Sequence, residues 1–290
     1  MACHDGKEVR DVRFMRLGSA GAERPVLFDQ GRCYSLESIA RDIDAEFWET
    51  NGPARAAAAR ASGALAQVDA DGARVGAPIA RPSSVICIGM NYAAHAAEAG
   101  SAPPAVPIIF HKAPNTVVGP YDDVAIPRAS SKTDWEVELG VVIGRRASYL
   151  ETPEQAAEYI GGFVSVNDLS EREFQLEVSG GQWSKGKSCA GFCPTGPVLV
   201  TPDEIRPDDL GLQSWVNGDP RQDSSTSDLI FGVDSIIHHL SQYMVLEPGD
   251  LICTGTPEGV AYSGRFPYLR AGDVVEIEIE GLGRQRQVFV

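Results

Sequence analysis

The chain has 290 residues, a formal charge of -15 and a sequence pI near 4.7. That length can bury one large core with room for a smaller unit. An acidic field of this size repels phosphate backbones and anionic membranes, which argues against nucleic acid or a membrane surface as a partner.

No stretch approaches the length of a membrane span, and Met1-Ala2-Cys3-His4-Asp5 lacks the basic start and apolar core of a secretion signal, so the cytoplasm is the expected location. Six cysteines (Cys3, Cys33, Cys87, Cys189, Cys193, Cys253) are scattered without a C-x-x-C pair. Reduced, mostly buried thiols are expected, not a zinc site or a disulfide framework.

In chain order, the first expected element is a meander of short strands over Val12–Leu17, Pro25–Phe28 and Cys33–Leu36. Helical segments follow over Ile39–Phe47 and in the Ala-rich run Pro53–Ala66. The Pro- and Gly-bearing stretch around residues 69–82 reads as a linker and divides the chain into a small N-terminal unit, 1–80, and a main unit, 81–290. Val85–Gly89 is a short apolar strand. Ala93–Ala99 can form a helix with His95 and Glu98 on one face, the arrangement of a general base oriented by an acid. Pro107–Lys112 is another strand.

Asp134–Gly144 carries the central signal. Trp135, Val137, Leu139, Val141 and Ile143 alternate, the period of a strand with one buried face. Glu136 and Glu138 share the other face, at a spacing of roughly 6.6 Å that lets two carboxylates converge on one cation. The same face continues with Gly140 and Val142, so it is expected to be covered. Asp168 ends the next apolar strand, Gly162–Asn167, and Ser170-Glu171-Arg172-Glu173 has the form of a capping box opening a helix. Three carboxylates without a nearby Cys or His suit a hard cation, magnesium first, then manganese or calcium.

Gly181–Ser188 matches G-x-x-x-x-G-K-S, the phosphate-cradling loop. It lacks the strand before and the sustained helix after that such a loop needs, so nucleotide binding is a remote alternative. Downstream, Leu212–Val216 runs into an Asn217-Gly218-Asp219 hairpin turn, Val233–Val245 is an amphipathic helix, Leu251–Pro257 is a strand ending in a Gly-rich loop, and Asp273–Glu280 is a late strand. The fold class is α+β and predominantly β.

Taken together, Gly89-Met90-Asn91-Tyr92 with His95 and Glu98, Glu136-Val137-Glu138-Leu139-Gly140, Asp168 with Arg172 and Gln175, Gly186-Lys187-Ser188, and Thr254-Gly255-Thr256-Pro257 form an ordered set. Over about residues 83–280 it resembles the fumarylacetoacetate hydrolase family. Lys132–Trp135 and Ser170–Leu176 look most like the family's hydrolases of 2,4-diketo-3-deoxy sugar acids, with 2-hydroxyhepta-2,4-diene-1,7-dioate isomerase-like members also close.

The resemblance implies a mixed β-sandwich or β-roll, a homodimer, and magnesium or manganese held by Glu136, Glu138 and Asp168. It implies that His95 and Glu98 lie on a lid segment and that Gln175 and Lys187 complete the site. Lys112, Arg172, Gln182 and Thr256 are further candidates for substrate contacts. The activity implied is cleavage of a carbon-carbon bond in a small-molecule 2-oxo acid, with His95 as base and Lys187 stabilising charge on the keto oxygen. Decarboxylation or tautomerisation of oxaloacetate, and isomerisation of a dienoate dicarboxylate, use the same enolate, and a non-catalytic metabolite-binding relative is a further alternative. Two departures from the family pattern fall on the pocket wall: Ser188-Cys189-Ala190-Gly191-Phe192 in place of Ser-Phe-Asp-Thr-Phe, and Ala261-Tyr262 after Gly259-Val260.

Overall fold

Residues 13–290 are described by the computed structural model, and the readings made at Met1–Asp5 and Val12 lie outside them. The N-terminal alternation produces β1 (Arg13–Leu17), β2 (Arg24–Asp29) and β3 (Arg32–Ser35), an antiparallel meander in which Phe14 faces Leu27 and Phe28 faces Cys33. The two helices that follow are shorter than the sequence suggests. α1 spans Ala45–Glu49 because the Asp44 carboxylate accepts the Phe47 N–H and fixes the start there. α2 (Gly52–Ala61) stops before Gly63, whose φ of 71° is left-handed. β4 (Gln67–Val68) and β5 (Val75–Gly76) pair with β3 and β1.

From Val85 onward come β6 (Val85–Gly89), α3 (Ala93–Glu98), β7 (Ile108–Lys112) and β8 (Val117–Val118). β9 (Thr133–Asp134), β10 (Val137–Ile143), β11 (Ile160–Asn167) and β12 (Ser170–Glu171) come next. α4 (Ser184–Lys187), β13 (Cys193–Pro194) and β14 (Leu199–Val200) lead into the last part of the chain. There lie β15 (Gly211–Val216), β16 (Asp219–Ser225), α5 (Val233–Ser241), β17 (Leu251–Cys253), β18 (Val274–Ile279) and β19 (Gly283–Val288).

The larger sheet runs β4-β3-β2-β1-β14-β11-β10-β17-β6-β7, and the smaller runs β16-β15-β18-β19. β10 is buried along its whole length. Its Val137, Leu139, Val141 and Ile143 pack with Leu212, Val275, Ile277 and Ile279 of the second sheet, as facing layers of a sandwich do. Its other face packs Val142 with Val164, Val166 and Leu199. That second covering is what draws Glu136 and Glu138 out of solvent. The fold is therefore predominantly β, as the sequence implies.

Ser170 and Glu171 do not open a capped α-helix. They pair with Asp134 and Thr133 as β12, and the Ser170 hydroxyl donates to the Asp168 carbonyl. Glu171 does the capping instead, accepting from Phe174 N–H (2.6 Å) ahead of a π-helical turn over Glu173–Glu177. Five cysteines among the described residues are free thiols, four of them buried. Among the described residues no helix is long and apolar enough to cross a membrane.

The β15–β16 turn takes Asn217 at φ 54° and Gly218 at φ 84°, the left-handed pair a tight hairpin requires. Gly218→Val forces a β-branched residue into that region and is expected to cost about 1–2 kcal/mol, read as a lower urea midpoint at unchanged m.

Candidate active site

Register delivers the three acids to one place. Val137 of β10 faces Asn167 of β11, so Glu136, just before one strand, meets Asp168, just after the other. The Asp168 N–H donates to the Glu136 carbonyl (2.9 Å), and the Glu136 N–H donates to Asn167 Oδ1 (3.1 Å). Glu138 lies two residues on, and its Oε2 accepts the Gly255 N–H at 2.9 Å. Gly255 adopts φ 102° at that point, and a Cβ there would lie 2.8 Å from the Cβ of Asn91. One oxygen from each of Glu136, Glu138 and Asp168 falls within 4.8 Å of the others, and all three residues are buried.

Three buried cations surround them. Lys187, on α4, donates to Glu136 Oε2 (2.6 Å) and Asp168 Oδ2 (2.7 Å). Lys112, at the end of β7, donates to Asp168 Oδ1 (2.5 Å). Arg172 donates through Nε to Asp134 Oδ2 (2.8 Å) and through Nη1 to Gln175 Oε1 (3.0 Å), and its Nη2 lies 2.7 Å from Glu136 Oε1.

Burial alone would raise the Glu136 carboxyl, but Lys187 and Arg172 outweigh it and hold it well below the usual carboxylate range. Glu138 goes the other way: burial, reinforced by the charges of Asp168 and Glu136, pushes it well above that range. Burial would likewise lower Lys187 and Lys112, yet their carboxylate partners keep both ammoniums charged.

Four carboxylates, Asp134 included, thus face three cations, and Glu138 is the acid left without one. A divalent ion fits that donor set, because it would supply the missing positive charge to an all-oxygen cluster.

Above the cluster opens a cavity of about 360 Å³, lined by His95, Glu136, Glu138, Arg172, Gln175, Lys187 and Thr256 among others. His95 sits on α3, one of its flanking elements. Its Nδ1 is 3.7 Å from Glu98 Oε2, too long for a hydrogen bond. Burial lowers the imidazole below its ordinary value of 6.5, and the attraction of Glu136 offsets this only in part, so the ring is neutral near pH 7. Glu98 stands behind it, accepting from Gly259 N–H (3.1 Å) and Arg265 Nη1 (2.9 Å). Thr256 donates to the Val137 carbonyl and accepts from Gln222 Nε2.

Nine of the eleven expected site residues therefore surround this cluster and cavity or touch them directly, with Lys112 beneath Asp168. Glu98 contacts the cavity only through His95, and Gln182 is exposed and does not line it. Trp183, beside Gln182, does line it, as does Tyr262 from one of the two sequence departures. Lys187 is the lysine of the G-x-x-x-x-G-K-S match, but with its ammonium held by two carboxylates it is not free to reach a phosphate.

Asp134 received no role from the sequence. Its carboxylate gathers Arg172, Ala261 N–H (2.8 Å) and Tyr262 N–H (2.9 Å). The readable signal was a charged residue opening an otherwise buried strand.

Residues 84–290 match the family described as fumarylacetoacetate (FAA) hydrolase C-terminal. The chain is 42% identical over 281 residues to 2,4-didehydro-3-deoxy-L-rhamnonate hydrolase of Sphingomonas sp. (strain SKA58), covering 95% of each chain. Among solved structures it is similar to fumarylacetoacetate hydrolase from psychrophilic Exiguobacterium antarcticum, with TM-score 0.82 and 33% identity over 96% of this chain and 99% of that one. It is also similar to 2-hydroxyhepta-2,4-diene-1,7-dioate isomerase from Mycobacterium marinum, with TM-score 0.71 and 31% identity over 97% and 98%. The chain belongs to the fumarylacetoacetate hydrolase family, whose members are hydrolases or isomerases of small ketone-containing acids.

Proposed function

We propose that the protein hydrolyses the carbon-carbon bond of a 2,4-diketo acid, releasing pyruvate and a second carboxylic acid. The observation that carries this reading is the convergence of three buried carboxylates beneath a cavity that also holds a neutral, buried histidine. Similarity to a hydrolase named for a 2,4-didehydro-3-deoxy sugar acid supports the same direction.

Glu136, Glu138 and Asp168 would hold magnesium, with manganese or calcium as substitutes, and the bound ion would supply Lewis-acid polarisation of the 2-oxo acid. His95 takes a proton from water, and the resulting hydroxide adds to the C4 carbonyl. The C3–C4 bond then breaks, its electron pair passes into the enolate of pyruvate, and C4 leaves as the acid. Return of the proton to C3 completes pyruvate. Lys187 places a positive donor beside the acids that face the developing enolate charge. Gln175, held by Arg172, and Thr256 present neutral polar groups to the substrate. A homodimer is part of the same reading and is testable by light scattering.

The test is incubation of the protein and magnesium with acylpyruvates, a 2,4-diketo-3-deoxy sugar acid and oxaloacetate, with products identified by NMR. Pyruvate and a second acid in equal amounts are expected. Carbon dioxide without a second acid, or a shifted double bond without cleavage, would replace hydrolysis by decarboxylation or isomerisation.

His95 also sets a pH expectation. A folded value below 6.5 keeps more than half of the imidazole unprotonated at pH 6.5, so the acid limb of kcat/KM is expected below that pH and is lost in His95→Gln, with kcat falling by about 10²–10⁴-fold.

A further inference from the structure

The cavity is lined by two kinds of side chain. Its floor is the charged cluster. Its apolar walls are Met90, Pro104, Ile108, Phe110, Leu176 and Trp183, and they adjoin the cluster where Lys187 Nζ lies 5.1 Å from the Phe110 ring. Trp183 is fixed in place: it meets Phe110 edge-on at 5.6 Å, and a Cβ on Gly89 would come within 2.5 Å of its Cζ3. The cationic side chains that line the cavity are Arg172 and Lys187, with His95 neutral, and each cation already serves two carboxylates. The remaining polar groups on the walls, Ser101 and the Tyr262 hydroxyl, are uncharged.

We propose that this site selects 2-oxo acids bearing a single carboxylate and an uncharged alkyl or hydroxyalkyl distal end, and discriminates against dicarboxylates of equal length. The inference rests on the hydrolase reading above for its assumption that the 2-oxo acid end lies on the floor. A second carboxylate would have to leave water for an apolar wall without a cation to receive it, which is costly. The -15 charge of the chain adds repulsion at longer range. A hydroxyl, by contrast, finds neutral partners.

Two acylpyruvates that differ only at the far terminus decide the matter. Butyrylpyruvate ends in a methyl where succinylpyruvate ends in a carboxylate. Each consumes one water, giving pyruvate with butyrate or with succinate. With saturating magnesium, kcat/KM is expected to favour butyrylpyruvate by about tenfold or more, chiefly through KM. Equal or reversed preference overturns the proposal.

Calorimetric Kd values for the same pair, read in parallel, separate this inference from the hydrolase reading. Tighter binding of butyrylpyruvate without turnover would remove hydrolysis and leave the selectivity standing. Equal binding, or none, would remove the selectivity. Leu176→Arg places a cation on the half-buried wall and is expected to narrow the ratio; an unchanged ratio in the folded variant would show that charge is not its cause.

Discussion

Glu138→Gln is expected to abolish turnover while leaving the protein as stable as before, or more so. The amide keeps an oxygen to accept the Gly255 N–H, so the Thr254–Pro257 turn retains its anchor. What disappears is a carboxyl whose negative charge is disfavoured by burial and by Asp168 and Glu136 and has no cation of its own. Without a divalent ion that charge opposes folding, so its removal is expected to hold or raise Tm at pH 7 in EDTA. Activity goes the other way, because a divalent ion bound to the three acids would lose a ligand. A fall in kcat/KM on the order of 10³-fold, equivalent to about 4 kcal/mol, is expected. Coupled pyruvate assay and calorimetry read the two effects separately. Turnover within about tenfold of wild type would remove Glu138 from the site.

Lys187→Met is expected to damage both properties at once. The ammonium is buried and bridges Glu136 and Asp168, and methionine matches its length without its charge. Two carboxylates would then face one another with only Arg172 and Lys112 as compensation. Removing one member of such a buried network costs about 3–5 kcal/mol, seen as a large drop in Tm in EDTA. Saturating magnesium is expected to recover part of that loss by restoring positive charge, but not the turnover. An unchanged Tm in EDTA would contradict the charge balance described for the cluster.

The acids of the site were legible because strand alternation is a strong signal: with Trp135, Val137 and Leu139 fixed on one face, Glu136 and Glu138 had to share the other. Asp168 was legible from its place at the end of a strand. Asp134 was not, because its partners Arg172, Ala261 and Tyr262 are remote in sequence and meet it only through the packing of the late loop. Ser170 carried the local pattern of a cap, yet pairing with Asp134 across β9 and β12 overrode it. β19 escaped notice for a different reason. Its inward residues are Gln285 and Gln287, not apolar side chains. They are buried because Gln285 Nε2 donates to the carbonyls of Ser165 and Gly196, and Gln287 Nε2 to that of Pro120. Hydrophobic periodicity is blind to a strand held by side-chain amides.

The segment from Thr254 to Arg265 ties down several acids of the site at once. Gly255 holds Glu138, Gly259 and Arg265 hold Glu98 behind His95, and Ala261 with Tyr262 holds Asp134 and through it Arg172. Ile108 and Leu176 on the wall carry no such ties. Mutational drift therefore meets very different resistance in the two regions. A shift in the late loop would disturb Glu138, Glu98 and Arg172 together, so paired changes there would combine non-additively. Ile108 and Leu176 are open to change one at a time, so substrate preference can shift there while the cluster beneath stays as it is.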